Sequence, residues 1–269
     1  MGAACLHAGW NAIIRFGKDK VQSMLLLSVT QGLMGVGMAL AYPLPSGKVW
    51  FWLAASAVFH SFYKAFLTLA YQRGDLSRVY PIARGTAPLI VAVIGAFFLA
   101  DPMAVLDYGG ILMVGLGIIL MARGVFTHGE SRALLPFAFG SSLATAGYSL
   151  VDGVGARIGG DATQYVAWLF LLDGALFLVW ALIFRGPSVL PRTAKAWGLG
   201  TVAGGASYGA YWIVVWAMTV APIALVAALR ETSVLFAVMI GILFFHERRD
   251  IGKLAAAALI VCGVILTRL

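Results

Sequence analysis

Long apolar segments, separated by short polar gaps, fill almost the whole sequence. A helix that spans a lipid bilayer needs about 20 predominantly apolar residues, and ten segments approach or exceed that length. They are residues 1–15, 21–42, 49–71, 77–99, 103–122, 133–156, 163–184, 194–219, 222–245 and 251–267. The pattern predicts an all-α polytopic membrane protein with ten transmembrane helices and no inserted soluble domain.

The composition agrees with this prediction, because 61% of the residues are hydrophobic and only 11% are charged. Soluble domains carry about 25% charged residues. The net charge is +8, but the basic residues lie scattered in short gaps, without a basic patch interleaved with aromatic residues. A nucleic-acid partner is therefore excluded. Cys5 and Cys262 lie in apolar segments and are interpreted as small core residues, with no disulfide or metal site.

The basic residues also indicate an orientation, because Lys and Arg concentrate in cytoplasmic loops. Most of the 19 Lys and Arg residues follow the first, third, fifth, seventh and ninth predicted helices. Those loops are expected to face the cytoplasm, which places both termini outside. The predicted location is a bacterial-type cytoplasmic membrane.

The two halves of the sequence resemble each other. Residues 84–101, RGTAPLIVAVIGAFFLAD, are similar to residues 230–247, RETSVLFAVMIGILFFHE. The predicted repeats are residues 1–125 and 130–269, with five helices each. An odd number of helices forces the two copies to insert with opposite orientation, and transporters with inverted repeats bind substrate near the midplane. Arg84 is the counterpart of Arg230 in this alignment.

These repeats resemble a known family. YPIARGTAPLIVAVIGAFFLAD and VAALRETSVLFAVMIGILFFHE are similar to the two halves of the EamA-type transporters of the drug/metabolite transporter superfamily. LHAGWNAIIRFGKD and SLVDG resemble the same subgroup. The resemblance covers essentially the whole chain. It implies ten helices in two inverted five-helix repeats around a central cavity, and secondary transport, commonly export of amino acids or other small metabolites.

Polar residues within the apolar segments are the candidates for the substrate site, since charges in a bilayer are costly and usually face a cavity. Several fall at the i, i+4 spacing that places side chains on one helix face, such as Tyr148 and Asp152. We predict that these faces line one aqueous cavity. The predicted substrate-binding residues are Arg84, Arg230, Glu231, Asp152, Lys64, Tyr80, Tyr148, Tyr211, Trp10 and Asn11.

A structural alternative stands beside this hypothesis. The same charges could form ion pairs that lock helices together, such as Arg84 with Asp152 or Lys64 with Glu231. His7 and His60 are interpreted as partners in helix–helix hydrogen bonds. Trp10 is compatible with either a cavity wall or packing.

Prolines are expected to bend the fourth predicted helix around Arg84. A proline in the interior of a helix removes a backbone hydrogen bond and can kink the helix. Pro81 and Pro88 flank Arg84, so kinks are expected on both sides of it.

The mixture of arginines and carboxylates suits a zwitterion or a small carboxylate as the substrate, because arginine binds a carboxylate in a bidentate manner. The motifs of common hydrolases, ATP-binding loops and paired cysteines are absent from the sequence. We therefore predict a transporter, not an enzyme, with no cofactor or metal, working by alternating access. Glu231 and Asp152 are candidates for carrying a coupling proton. The alternative function is handling of a lipid-linked or phospholipid head group, by a flippase or a membrane enzyme.

Overall fold

The computed structural model describes residues 2–16, 19–71, 73, 84, 86–99, 101–121, 132–244 and 251–267, and every regular element within them is helical. Two short 3₁₀ turns, Arg132–Leu134 and Pro187–Val189, accompany the α-helices. The α-helices are α1 (Gly2–Phe16), α2 (Lys20–Ala39), α3 (Gly47–Tyr71), α4 (Ala87–Phe98), α5 (Val105–Met121), α6 (Leu135–Gly159), α7 (Ala162–Arg185), α8 (Ala194–Val220), α9 (Ile223–Arg230), α10 (Ser233–Phe244) and α11 (Ile251–Leu266).

Most of the predicted segments coincide with one helix to within a few residues, and two differ. The predicted segment 222–245 contains two helices, α9 and α10, which are separated at Glu231 and Thr232. Within the predicted segment 77–99, the described helix begins only at Ala87. Residues 77–83 lie outside the described residues.

The break between α9 and α10 has a local cause. The backbone N–H of Glu231 donates to the Ala228 carbonyl at 3.1 Å, and that of Thr232 donates to the Leu229 carbonyl at 3.2 Å. Hydrogen bonds over three residues tighten the chain relative to an α-helix. The Thr232 hydroxyl also donates to the Leu229 carbonyl at 2.7 Å, and such side-chain bonds compete with the helical ladder. The chain therefore turns at Glu231 without a glycine or a proline.

The structure places Pro88 at the start of a helix. Pro88 lies in the first turn of α4, directly after Thr86 and Ala87. The first backbone N–H groups of a helix have no partner within it, so a proline there costs no hydrogen bond. Pro88 begins a helix instead of bending one. Pro81 lies outside the described residues.

The chain divides into two compact units, and each contains a stretch from both halves of the sequence. The first unit comprises Phe62–Leu150 and Ala221–Leu269, and the second comprises Gly2–Ser61 and Val151–Val220. In the first unit α5 packs against α11, and α4 packs against α9. In the second unit α2 packs against α7, and α8 packs against both α1 and α2.

Glycines allow a close contact between α2 and α7. A Cβ atom added to Gly35 in α2 would lie 2.5 Å from the carbonyl oxygen of Ala167 in α7. A Cβ atom added to Gly174 in α7 would lie 2.7 Å from the carbonyl oxygen of Ser28. Small residues at helix interfaces in membranes let two backbones approach in this way. The α2–α7 pair therefore depends on glycine at both positions.

Large apolar side chains are exposed, whereas many polar ones are buried. Phe97, Phe98 and Val105 are each more than 80% exposed, at 81%, 82% and 88%. Within the described residues, Val21–Ala39, Gly47–Ala70 and Ala162–Arg185 are long and apolar enough to cross a membrane. Shorter apolar helices cover Ala87–Phe98, Val105–Leu120 and Ala255–Leu266.

The two cysteines follow the same pattern of exposed apolar groups. Cys5 and Cys262 are both exposed, so their interpretation as core residues is wrong. A free cysteine behaves as a small hydrophobic residue. A cysteine therefore fits an apolar outer face as well as a core. Its presence in an apolar segment does not distinguish an exposed position from a buried one.

Candidate functional site

Arg84 and Glu231 form a bidentate ion pair inside the first unit. Arg84 Nε donates to Glu231 Oε2 at 2.9 Å, and Arg84 Nη2 donates to Glu231 Oε1 at 3.0 Å. Arg84 is 1% exposed and Glu231 is fully buried. Two parallel hydrogen bonds between a guanidinium and a carboxylate add geometric specificity to the ionic attraction. The pair fixes the end of α9 to the residue that lies just before α4.

Arg230 contacts the same carboxylate. Its Nε lies 3.3 Å from Glu231 Oε1, and its Nη2 donates to the Ser149 hydroxyl of α6 at 3.3 Å. The guanidinium carbon lies 5.5 Å from the centroid of the Tyr148 ring, and Tyr148 packs edge-on against Tyr63 at 5.6 Å. Two guanidinium groups thus share one carboxylate.

We call Arg84, Arg230 and Glu231 the arginine trio. Its three formal charges sum to +1. Arg230 is 4% exposed, so all three groups are withdrawn from solvent. Arg230 is the last residue of α9 and Glu231 the first beyond it, so the helix break brings both to the same place. The trio is a buried, positively charged group with aromatic rings beside it.

A second polar group surrounds Asp152 of α6, within the second unit. Tyr165 of α7 donates its hydroxyl to Asp152 Oδ1 at 3.0 Å. Tyr211 of α8 donates its hydroxyl to Oδ2, and His60 Nε2 of α3 lies 3.2 Å from the same oxygen. Asp152 is fully buried. We call these four residues the Asp152 cluster.

Aromatic packing encloses the Asp152 cluster. The His60 and Tyr211 rings meet edge to face at 5.3 Å. Phe170 packs against both, at 6.4 Å from His60 and 5.7 Å from Tyr211. Tyr165 lies against Gly155, since a Cβ atom on Gly155 would lie 2.6 Å from its ring. A glycine one turn after Asp152 therefore makes room for the tyrosine that donates to it.

The predicted site residues also include Trp10, Asn11, Lys64 and Tyr80. Trp10 Nε1 donates to His7 Nδ1 at 3.2 Å, and Asn11 donates to the His7 carbonyl at 2.8 Å, both within α1. Lys64 is buried on α3. Tyr80 lies outside the described residues.

The pairings differ from those named in the structural alternative. Among the described residues, Arg84 pairs with Glu231 and not with Asp152, whose hydrogen-bond partners are His60, Tyr165 and Tyr211. Glu231 is held by the two arginines and not by Lys64. Periodicity predicts the face of a helix that is polar, but the packing of helices decides which neighbour that face meets.

Three contacting residues were not predicted. Ser149 and Tyr63 each lie next to a predicted residue in the sequence, so their neighbours Tyr148 and Lys64 were the available signal. Tyr165 gives no such signal, because neither of its neighbours, Gln164 and Val166, is a predicted site residue. Its role depends on the space beside Gly155 and is visible only in three dimensions.

Comparison with known proteins decides the family. A model of the EamA-like transporter family matches residues 1–123 and 133–269. The chain belongs to the EamA-like transporter family. The resemblance seen in the sequence is thereby confirmed, and the chain is a multi-pass membrane transporter and not an enzyme.

A solved crystal structure has the same fold. It superposes with a TM-score of 0.78 at 18% sequence identity, over 100% of this chain and 96% of its own. At that identity the likeness concerns the fold alone. No curated protein matches the sequence.

Proposed function

We propose that this EamA-like transporter is a secondary transporter for a small metabolite that carries a carboxylate, either an amino acid or a small carboxylic acid. The observation that carries the proposal is the arginine trio, in which two buried guanidinium groups share one buried carboxylate. The proposed direction is export across a bacterial-type cytoplasmic membrane. The proposed mechanism is alternating access around a central cavity.

The charge of the trio favours an anionic group on the substrate. Burying an ion away from water is costly unless an opposite charge compensates it. Glu231 carries one negative charge against the positive charges of Arg84 and Arg230. A substrate carboxylate bound at Arg230 would bring the four groups to neutrality and would accept two parallel hydrogen bonds from the guanidinium.

The aromatic residues beside Arg230 suit the other end of an amino acid. Tyr148 lies against the Arg230 guanidinium, and Tyr63 packs edge-on against Tyr148. A cationic group is attracted to the face of an aromatic ring. Tyr148 and Tyr63 therefore offer an aromatic surface for a substrate ammonium.

The architecture we propose is ten spans in two inverted repeats, residues 1–125 and 130–269. The match of the family model in two separate segments, 1–123 and 133–269, supports two repeats. The composition of the compact units also supports it, because each unit combines segments from both halves. Such interleaving is suited to rocking of one part against the other during alternating access.

A thermal-shift screen of the purified protein in detergent tests the carboxylate requirement. A ligand that binds only the folded state raises its stability by mass action, by about 2.7 kcal/mol at 100 times the dissociation constant. We expect some free amino or carboxylic acids to raise the Tm and their methyl esters not to. The rise should disappear in Arg230→Ala. It should persist in Arg185→Ala, because Arg185 is exposed and pairs with Asp19.

The same screen includes the competing function. Glycerol phosphate and phosphocholine represent lipid head groups. A rise in Tm with these compounds and with no carboxylate would replace the proposed substrate by a phosphate-bearing head group. If an acid stabilises Arg230→Ala as strongly as the wild type, Arg230 does not bind the substrate carboxylate.

A further inference from the structure

We infer that Asp152 and His60 form the site that binds the coupling proton of this transporter. The inference rests on the proposed function and goes beyond it by naming the ion that drives transport. It places that ion in the Asp152 cluster, whose composition differs from that of the arginine trio. Four helices contribute to the cluster: α3, α6, α7 and α8.

The partners of Asp152 distinguish it from Glu231. Glu231 is held by two permanently charged guanidinium groups. The hydrogen-bonding groups that face Asp152 among the described residues are the His60 imidazole and the Tyr165 and Tyr211 hydroxyls. None of these three groups carries a permanent positive charge. A proton is therefore the charge that compensates Asp152.

The protonation step balances without any further reactant. In the proton-free state Asp152 is a carboxylate, His60 is neutral and the pair carries one negative charge. A hydronium ion transfers its proton to the pair and leaves as water, so the pair becomes neutral. Release is the reverse step. Since a buried, uncompensated charge is costly, the loaded and empty states differ in electrostatic energy, and that difference can be used to drive a conformational change.

The geometry allows Asp152 to hold the proton, with His60 as its hydrogen-bond partner in both states. His60 Nε2 lies 3.2 Å from Asp152 Oδ2. It donates when Nε2 carries a hydrogen, and it accepts from a protonated Asp152 when only Nδ1 does. Tyr165 and Tyr211 donate to the carboxylate in the empty state. Phe170 packs against His60 and Tyr211, so part of the cluster is bounded by an apolar ring.

The same geometry disfavours a metal cation as the driving ion. Hard cations such as Na⁺ and Ca²⁺ are held by several oxygen ligands. Asp152 Oδ2 instead lies beside a nitrogen of His60, which bonds readily to a proton. Intramembrane chains of Asp, Glu and His are a recurrent device for moving protons in pumps and transporters.

A single helix joins this site to the proposed substrate site. Asp152 follows Ser149 by three residues in α6, and Ser149 accepts a hydrogen bond from Arg230. Tyr148, which lies against Arg230, belongs to the same turn. A rearrangement of α6 when Asp152 gains or loses its proton would therefore alter the contacts that Arg230 makes with Ser149 and Tyr148.

Infrared difference spectroscopy tests the site without knowledge of the substrate. The purified wild type is titrated between about pH 5 and pH 8, the range in which histidine titrates. We expect a carboxylic acid C=O band that grows on acidification and is lost in Asp152→Asn. Asp173→Asn is the matched control, because Asp173 is also fully buried, and it should keep the band. A band that is absent from the wild type, or that survives in Asp152→Asn, would overturn the inference.

A milder variant guards against misfolding of Asp152→Asn. Tyr211→Phe keeps the carboxylate and removes one hydroxyl that donates to it. We expect its C=O band to remain but to change in frequency and in the pH at which it appears. An unaltered band in Tyr211→Phe would show that the titrating carboxyl is not Asp152.

Transport in proteoliposomes tests the coupling role. With a substrate found in the thermal-shift screen, the wild type should accumulate it in vesicles with an acidic lumen, and its counterflow should vary with pH. Asp152→Asn should lose accumulation, and its residual counterflow should no longer depend on pH. Asp173→Asn should behave as the wild type does.

The possible failures are distinguishable. If Asp152→Asn accumulates substrate as the wild type does, the coupling role is wrong and the proposed transport function stands. If accumulation follows a Na⁺ gradient and ignores the proton gradient, the inference is also wrong. If the wild type exchanges no compound, the proposed function and the coupling role both fall, while the infrared band still reports whether Asp152 binds a proton.

Discussion

The buried charges of the first unit are arranged so that one carboxylate serves two guanidinium groups. Arg84 makes the shorter contacts with Glu231, at 2.9 and 3.0 Å, and Arg230 the longer one, at 3.3 Å. Arg230 also reaches Ser149 and Tyr148. This division suggests different roles at the residue scale. Arg84 holds Glu231 in place, and Arg230 is the arginine that we expect to meet substrate.

Removing the shared carboxylate should destabilise the protein. Glu231→Gln leaves two buried guanidinium groups without it, and breaking a buried ion pair in this way costs about 3–5 kcal/mol. We expect a lower Tm in detergent. The charge-balanced double variant Arg84→Gln with Glu231→Gln removes one charge of each sign. Its loss of stability should be clearly smaller than the sum of the two single losses. Additive losses would show that the two side chains are not coupled.

At this scale the sequence predicted candidates better than it predicted partners. The repeat alignment related Arg84 to Arg230, and both contact Glu231 in the structure. The partner of Asp152 could not be derived in the same way. The i, i+4 spacing of Tyr148 and Asp152 describes one helix face, whereas His60, Tyr165 and Tyr211 reach Asp152 from three other helices.

At the scale of elements, one local feature positions the arginine trio and another allows close helix packing in the second unit. The turn between α9 and α10 places Arg230 and Glu231 at a helix end. The close approach of α2 and α7, through Gly35 and Gly174, is part of the second unit, to which the Asp152 cluster also belongs. The helices were predictable from the length of apolar segments. The break between α9 and α10 was not predictable, because neither a glycine nor a proline marks it in the sequence. It depends on the Thr232 hydroxyl and on backbone hydrogen bonds over three residues.

The α2–α7 contact makes a testable prediction with a control on the same helix. Gly35→Ala would place a Cβ atom 2.5 Å from a backbone oxygen of α7. The helices would have to separate, and overpacking of this kind costs about 1–3 kcal/mol. A Cβ atom added to Gly37 would have no atom within 4 Å. Gly37→Ala should therefore be neutral or slightly stabilising, since alanine is more favourable than glycine within a helix. Equal Tm values for the two variants in detergent would contradict this account of the packing.

At the scale of the whole molecule, the family and the fold are established, and the arrangement in the membrane is a proposal. The EamA-like family match covers nearly the whole chain. The apolar segments and the similarity between the two halves were readable from the sequence, because segment length and internal similarity are one-dimensional properties. The two compact units could not be predicted from the sequence, because each combines segments that are distant in the chain.

Cysteine labelling tests the proposed orientation. Ser46 follows the second predicted span, and Ser188 follows the seventh predicted span; both are exposed. In a background with Cys5→Ser and Cys262→Ser, Ser46→Cys should react with a membrane-impermeant maleimide in intact cells. Ser188→Cys should react only after the membrane is permeabilised. Labelling of both from the same side would contradict ten spans with the predicted orientation.

The most direct test of the central claim is uptake of a labelled panel of amino acids and small carboxylates into proteoliposomes, with and without an acidic lumen, for the wild type and for Arg230→Ala. We predict that the wild type takes up one class of carboxylate-bearing compound, faster when the lumen is acidic, and that Arg230→Ala, shown to be folded by its Tm, takes up none. Equal uptake by the two proteins, or none by a folded wild type, would contradict the account.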